Sequence, residues 1–483
     1  MPKLLVDLIG DNHLAWLASV LVIKGDLPDS SRQMLAVMVA LPGVVPEIEG
    51  RPFTVDWLAD HPGNAAPFLE AGFLESWRSV GGGKWLPDLV DRMGGQDSIL
   101  RLSSKQLPIL LSLAAGRPWL MDGVPVSLDR LLRSNFAAVA IEDPFPTAHA
   151  ELTGQDWLVS FAKRRTSLAQ LDPTQQAAGK AMLINPHAGL LVGGNLVGPA
   201  EALGISSSEY VLLNPISGAT YSQISGDARW EKAGKVATLA VYLDSEQRAN
   251  LVRWMERQDA FARFDGIEIG PGRVDHLSKF GGRLLEPALA EAHQILTGQG
   301  WLSLWTAAAE KVGRIAAQWG LSQSAVDGVR ILAAQLVAGI PPADARFCVN
   351  GEVVNRAWMV DRPEWVWEHL RGRLPELVER LTLQTDLSEV AGRLRGLEKV
   401  DEEISRQLLV QLAVDPKRYP CLQGRLVDGE WFAANSEAAT KLMDPNFCDH
   451  VLRLGAREWF ESLRRWQQMQ GGDSGTGLDP NGS

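Results

Sequence analysis

The chain is poor in the residues that most often build a catalytic site or a covalent framework. Its 483 residues include only 3 cysteines, 4 tyrosines and 8 histidines. The cysteines stand far apart, so their spacing excludes a disulfide framework and a CxxC metal site. GxSxG, HExxH and kinase motifs are also missing, and we therefore expect neither a bound metal nor a cofactor.

Positive charge is scarce as well. The 47 Lys and Arg residues face 58 Asp and Glu residues, which gives a formal net charge of −11 and a pI near 5.4. This balance argues against a protein that coats nucleic acid without sequence preference, because such binding depends on neutralising phosphates. A local basic patch is still compatible with this negative net charge.

Long apolar runs are lacking too. The longest, Leu14 to Ile23, has about half of the ~20 residues that a membrane helix needs. The first residues lack the basic-then-apolar order of a secretory signal. With few cysteines and more Arg than Lys, these features predict a protein of the bacterial cytoplasm without membrane contact.

Tryptophan, in contrast, is abundant. The chain has 17 Trp residues, and indole supplies large apolar area to cores and interfaces. Trp301 and Trp305 would share a helix face, whereas Trp365 and Trp367 would diverge, so one of that second pair should meet solvent or a partner. The alternative is that these tryptophans pack in the core and do not contact a partner. The late part of the chain is especially rich in this residue, at Trp301, Trp305, Trp319, Trp358, Trp365, Trp367, Trp431, Trp459 and Trp466.

Length and apolar patterning predict an α+β multidomain protein. A chain of this size usually forms about two to four domains. We expect a helical N-terminal domain, a small mixed α/β middle domain and a helical-bundle C-terminal domain. The predicted ranges are 1–165, 166–283 and 284–470, followed by a polar, disordered tail at 471–483.

Individual segments supply the reasons. The apolar runs 14–23 and 34–41 indicate a buried helical hairpin. Residues 236–243 read as a strand, residues 244–259 as a helix capped by Asp244, and residues 264–269 as a second strand, which together predict a β-α-β unit. Short apolar runs at 182–184, 189–192 and 210–213 read as further strands. We detect no internal repeat of fixed period.

Residues 312–330 resemble the helix-turn-helix segment of DNA-binding proteins. Ala316 is the small residue where two helices would cross, Gly320 would form the turn, and Val326 and Val329 would face inward. The resemblance implies that the second helix presents its polar face to a groove of nucleic acid. The predicted nucleic-acid-binding residues are Gln323, Ser324 and Arg330. A plain packed helical joint is the alternative.

Groups suited to acid-base chemistry are scattered. The loop from Glu142 through Asp143 to His149 places two carboxylates near an imidazole. His187 and His276 lie in other loops, and none of these sites has the spacing of a zinc site. Glycine-rich stretches at 81–84, 193–198 and 270–272 lack the P-loop and dinucleotide fingerprints.

Taken together, these features predict a non-catalytic subunit of a larger intracellular complex. It would contact protein or nucleic acid through its Trp-rich C-terminal helical region. The alternative is a hydrolase-type enzyme with a site at the strand ends of the middle domain. Its acid-base residues would come from Asp244, Glu268, Asp275 and His276.

Overall fold

Helices dominate the protein. A computed structural model describes residues 27–472 apart from 42, 205–211, 398, 399 and 401. Helix accounts for 63% and strand for 7%, so the predicted helix-rich class is confirmed. Throughout the described part of the chain, the strands occur as six separate antiparallel pairs.

The helices are short and follow one another closely. In the first half of the chain they are α1 (Asp29–Ala40), α2 (Val55–Asp60), α3 (Pro62–Ala65), α4 (Ala71–Ser79), α5 (Trp85–Arg92), α6 (Gln96–Arg101), α7 (Gln106–Ala114), α8 (Leu128–Arg133), α9 (Ala137–Ala140), α10 (Phe145–Thr153), α11 (Trp157–Ala169), α12 (Pro173–Gly179), α13 (Ala181–Ile184), α14 (Pro199–Gly204), α15 (Pro215–Ser225) and α16 (Arg229–Ala240). In the second half they are α17 (Ser245–Glu256), α18 (Leu277–Leu284), α19 (Pro287–Thr297), α20 (Trp301–Gln318), α21 (Gln323–Val337), α22 (Arg356–Val360), α23 (Pro363–His369), α24 (Leu374–Thr382), α25 (Asp386–Leu394), α26 (Glu403–Val414), α27 (Gly429–Ala434), α28 (Ser436–Lys441), α29 (Pro445–Leu454) and α30 (Arg457–Gly472). Short 3-10 turns follow α3 and α25, at Ala66–Phe68 and Arg395–Leu397.

Each strand pair is a hairpin closed by a two-residue turn. The pairs are β1–β2 (Glu47–Ile48, Arg51–Pro52), β3–β4 (Leu120–Met121, Val124–Pro125), β5–β6 (Leu190–Val192, Asn195–Val197), β7–β8 (Ala262–Phe264, Ile267–Ile269), β9–β10 (Cys348–Val349, Glu352–Val353) and β11–β12 (Cys421–Leu422, Arg425–Leu426). Both residues of every turn have positive φ, between 47° and 87°, as the tight turn of a twisted hairpin requires. The second of the two is always glycine, at Gly50, Gly123, Gly194, Gly266, Gly351 and Gly424.

These hairpins recur at nearly constant spacing. The turn glycines follow one another at intervals of 73, 71, 72, 85 and 73 residues. After each of the six turns, a helix ends at or next to a left-handed residue that stands 31 or 32 positions after the turn glycine. Those residues are Gly81, Gly154, Gly226, Gly298, Leu383 and Gly455. We therefore divide the chain into repeats 1 to 6, at 47–119, 120–189, 190–261, 262–347, 348–420 and 421–472.

The helix that ends a repeat holds the next hairpin through a buried side-chain amide. Asn250, Gln335 and Gln411 each accept a hydrogen bond from one backbone N–H and donate one to the carbonyl of the same residue. The residues held in this way are Arg263, Arg346 and Cys421, with N···O distances of 2.6 to 3.1 Å. Because leaving a buried side-chain amide without hydrogen bonds is costly, this pair of hydrogen bonds fixes the start of the hairpin against the preceding helix.

The structure overturns several of the sequence predictions. Residues 236–240 belong to α16, whose buried Ala233, Val236, Ala237 and Ala240 follow helical spacing. Residues 264–269 are one hairpin turning at Asp265 and Gly266, so no β-α-β unit forms here and the middle region is helical with two hairpins. Met182 likewise lies in a helix, whereas residues 190–192 form a strand as predicted. The sequence analysis detects no repeat of fixed period, whereas in the structure the hairpin turns recur at intervals of 71 to 85 residues.

The chain folds into two compact units. Unit 1 contains the described residues of 27–198 and 212–231, and unit 2 contains those of 199–204 and 232–472. The three-domain division stays a prediction. The first helix of the predicted N-terminal hairpin and the tail from 473 lie outside the described residues. Of the strand predicted at 210–213, residues 210 and 211 also lie outside them, and residues 212 and 213 are not in a strand. None of the described helices combines the length and apolarity that crossing a bilayer requires.

Candidate interaction site

The predicted helix-turn-helix segment is the joint between α20 and α21 in repeat 4. Ala316, Val326 and Val329 are buried at this joint, and Gly320 has a φ of +75°, all as predicted. Gly313 allows the closest approach of the two helices, because a Cβ there would lie 2.8 Å from Cγ of Arg330. The predicted local geometry is therefore present.

The polar residues at the start of α21 make bonds within the protein. Gln323 is exposed, and its amide donates to Asp327 at 3.0 Å. The hydroxyl of Ser324 lies 3.1 Å from that of Ser322, which in turn lies 2.5 Å from Nε2 of His369 on α23. Ser324 thus belongs to a hydrogen-bonded chain that joins the turn to a neighbouring helix.

Arg330 is the most strongly engaged of the three predicted residues. Its side chain is 22% exposed and forms an ion pair with Glu310 at 2.5 Å. It also donates to the carbonyl of Leu285 at 3.3 Å and approaches Asp327 at 3.5 Å. These bonds hold the guanidinium across the contact between α20 and α21.

The same helix, short joint and helix precede other hairpins. In repeat 2, α11 and α12 meet at residues 170–172, and in repeat 3, α16 and α17 meet at 241–244. Each joint leads into a helix that ends shortly before a hairpin. The order of helix, short joint and helix is thus not confined to residues 312–330.

Two residues of the alternative enzyme site form hydrogen bonds and ion pairs within the fold. Asp244 caps α17 through the N–H groups of Glu246 and Gln247 and pairs with Arg283. Burial opposes ionisation of Asp244, but the bonds to Gln247 and Arg283 outweigh it and lower its pKa. Glu268 pairs with Arg253 at 3.0 Å and Arg273 at 3.6 Å. Glu268, Asp275 and His276 line one open depression beside β7–β8, along with Arg263 and Arg273.

The predicted loop pair of carboxylate and imidazole is not assembled. Asp143 is exposed and pairs with Arg101, whereas His149 is buried among Trp119, Phe145 and Trp157. Burial lowers the pKa of His149, which favours a neutral ring packed in the core. His187 donates its backbone N–H to Asn185 in a simple turn. No cluster of metal-ligating side chains occurs in the part of the chain that the structure describes.

A cluster of arginine and tryptophan lies beside the α20–α21 joint, and we call it the Arg–Trp patch. It consists of Trp319, Trp367, Arg371, Arg373 and Arg406. The guanidinium carbon of Arg371 lies 4.2 Å from the ring centre of Trp367, and that of Arg406 lies 5.8 Å from the same ring. The guanidinium carbon of Arg373 lies 5.4 Å from the ring centre of Trp319. These are cation–π distances.

The patch was only partly visible in the sequence. The two rings of Trp365 and Trp367 diverge as predicted, since Trp365 stacks on His369 with its ring centre 4.4 Å away, and Trp367 meets Arg371 and Arg406. The segment Arg371-Gly-Arg373 follows α23 directly, and it is the signal that could have pointed to this surface. Arg406 comes from α26, and no local pattern links it to the other residues.

No protein-family model matches this chain, and comparison with curated proteins and with solved structures finds no match either. What the protein does must therefore be inferred from its own residues.

Proposed function

We propose that this protein is a non-catalytic scaffold that binds protein partners through the C-terminal helical repeats. The observation that carries the proposal is the recurrence of one hairpin-and-helix unit six times along the described chain. Repeat proteins bury a continuous core between neighbouring units and use their remaining surface for binding.

The use of the chemically capable side chains supports the same proposal. Asp244 caps a helix, Glu268 forms surface ion pairs, and His149 and His293 are buried among aromatic rings. Asp244 and Glu268, two carboxylates on which the enzyme hypothesis depends, thus form bonds that stabilise the fold.

Native mass spectrometry of the protein isolated from its own source tests the proposal. We expect a complex that contains a different protein in fixed ratio, with a mass well above the 52.7 kDa of one chain. Recovery of the chain alone, combined with turnover of a small compound that is lost in His276→Ala, would contradict the scaffold and favour the enzyme.

Contact with nucleic acid through Gln323, Ser324 and Arg330 stays a prediction with its own test. Arg330→Ala is a poor probe, because losing the bonds to Glu310 and Leu285 should lower the free energy of unfolding by about 1–2 kcal/mol. Gln323→Ala combined with Ser324→Ala removes the bonds to Asp327 and Ser322 but keeps the ion pair of Arg330, and affinity is compared under conditions where the midpoint of denaturation shows both proteins folded. A fall in affinity of this double variant for a duplex DNA probe supports the contact, and unchanged affinity contradicts it.

A further inference from the structure

The arginines of the Arg–Trp patch are held in place but are not neutralised. Arg371 and Arg373 are exposed and Arg406 is half-buried. Within the described residues, none of these guanidinium groups lies within 4.0 Å of a carboxylate oxygen. Many other arginines of the chain, such as Arg362 and Arg380, have such a partner. The patch therefore presents three guanidinium groups without a direct ion-pair partner, on a protein whose net charge is −11.

The tryptophans hold the arginines in place without using their N–H donors in an ion pair. The guanidinium carbons of Arg371 and Arg373 lie 4.2 and 5.4 Å from the ring centres of Trp367 and Trp319, and both tryptophans are half-buried. A cation–π contact of this kind leaves N–H donors for an acceptor. A fork of such donors fits the two oxygens of a carboxylate or a phosphate.

The surroundings favour a short carboxylate-bearing ligand over a nucleic acid. Each indole already has a guanidinium group within 5.4 Å of its ring centre and is half-buried, which reduces the ring surface open to a stacking base. Glu364 and Glu368 lie on α23 beside the patch and are exposed. They would repel a long polyanion that extends past the three arginines. A few clustered carboxylates avoid this repulsion, because charges beyond about 8 Å are screened at physiological ionic strength.

We infer that the Arg–Trp patch is a docking site for an acidic peptide segment of a partner protein. The inference rests on the proposed scaffold function and names the chemistry of the partner. Arg371, Arg373 and Arg406 bind the carboxylates, while Trp319 and Trp367 hold the guanidinium groups in position. His369 ties this surface to the α20–α21 joint through Ser322, with Nε2 and Oγ 2.5 Å apart.

Fluorescence anisotropy with three labelled probes tests the inference on the full chain. The probes are a peptide of about ten residues with three adjacent glutamates between neutral flanks, its twin with glutamine in place of glutamate, and a thymidine oligonucleotide of similar charge. We expect the glutamate peptide to bind, the glutamine peptide to bind at least about tenfold more weakly, and added salt to weaken binding. Tighter binding of the oligonucleotide than of the glutamate peptide would overturn the inference in favour of nucleic acid. Absence of glutamate-peptide binding at low salt would overturn it altogether.

Matched variants show whether the patch itself is responsible. Arg371→Glu with Arg373→Glu should weaken peptide binding by about tenfold or more. Arg464→Glu with Arg465→Glu makes the same charge change at exposed positions of α30. At physiological salt, where long-range charge effects are screened, this control should bind the glutamate peptide within about twofold of the wild-type affinity. Arg371→Lys with Arg373→Lys keeps the charge but removes the fork, and should weaken binding several-fold. Equal losses in the two charge-reversal variants would overturn the inference. A stable host complex that survives Arg371→Glu with Arg373→Glu would also overturn it, and the scaffold proposal would stand.

Discussion

Leu383 occupies the left-handed position that glycine holds in the other five repeats. Its φ is +63°, and its side chain is 78% exposed, so no packing compensates for the backbone conformation. Left-handed backbone costs an L-residue roughly 1–2 kcal/mol, whereas glycine adopts it freely.

Leu383→Gly should therefore stabilise the protein by about 0.5–1 kcal/mol, after allowing for the greater entropy of glycine in the unfolded chain. The midpoint of chemical denaturation measures this change. Gly298→Ala is the reverse experiment at the matching position of repeat 4, where a Cβ would meet nothing within 4 Å. It should destabilise the protein by about 1 kcal/mol. An increase in the free energy of unfolding of Gly298→Ala would contradict a left-handed backbone at the end of this helix.

His293 illustrates how a buried ring couples stability to pH. It is fully buried between Trp254 and Trp301, with ring centres 4.7 and 4.8 Å away, and burial lowers its pKa to about 4. The unfolded ring binds a proton near pH 6.5. Between these two values the unfolded chain binds more protons, so acid favours unfolding.

We expect the free energy of unfolding to be fully retained above pH 6.5 and to fall as the pH drops toward 4, by at most about 1.4 kcal/mol per pH unit from this ring. His149, whose pKa is also lowered by burial, adds a dependence of the same sign. His293→Leu should flatten the dependence in urea denaturation series at pH 7 and pH 5. An equally steep loss in that variant would show that His293 is not the source.

At the scale of elements, the contact between helix and hairpin is specific. Gln335 on α21 is 3% exposed, and both ends of its amide bond to the backbone of Arg346 just before β9. Asn250 and Gln411 make the equivalent bonds in other repeats. A polar side chain inside the core thus fixes the position of a very short hairpin, which could not be stable alone.

Gln335→Leu should lower the free energy of unfolding by about 1–3 kcal/mol, because it removes both hydrogen bonds between α21 and the backbone of Arg346. The exposed Gln323 on the same helix provides the matched control. Gln323→Leu should change the free energy of unfolding by less than about 0.5 kcal/mol. Similar effects of the two substitutions would mean that the buried amide does not hold the hairpin.

Some elements could be predicted from sequence and others could not. The capping box at Asp244 correctly placed the start of α17, since cap and helix are a few residues apart. Residues 236–243 are almost entirely apolar, so their sequence does not show which face is buried and also fits a strand. The packing in the structure shows that the buried residues follow helical spacing. The segment 264–269 contains the Asp-Gly dipeptide typical of a hairpin turn, but its apolar flanks also fit one continuous strand.

At the scale of the whole molecule, the repeats conserve backbone geometry more than side chains. The turn positions before glycine hold Glu49, Asp122, Gly193, Asp265, Asn350 and Gln423, which share a positive φ but little chemistry. Residues 152–157 and 296–301 are nearly the same sequence, Leu-Thr-Gly-Gln-x-Trp, at twice the usual spacing, and this match was the clearest available signal of the repeat. Repeat 4 is longer than the others and contains the 18-residue α20 and the 15-residue α21.

The candidate site also has one part that sequence spacing predicts and one part that depends on contacts between distant segments. Trp365 and Trp367 could be placed on diverging faces from their spacing alone, because a helix fixes the angle between neighbours. The convergence of Arg406 with Arg371 and Arg373 depends on the packing of α26 against α23, which lies far away in sequence. The approach of His369 to Ser322 is equally non-local.

Hydrogen–deuterium exchange of the full chain, read at single residues, tests most directly that one hairpin-and-helix unit recurs six times. We predict slow exchange at the backbone N–H of Arg263, Arg346 and Cys421, continuous helical protection across 236–240, and fast exchange at the six turn glycines. Alternating slow and fast N–H groups across 236–243 together with protection through Asp265 and Gly266 would indicate a continuous sheet. That result would contradict the repeat and the scaffold function built on it.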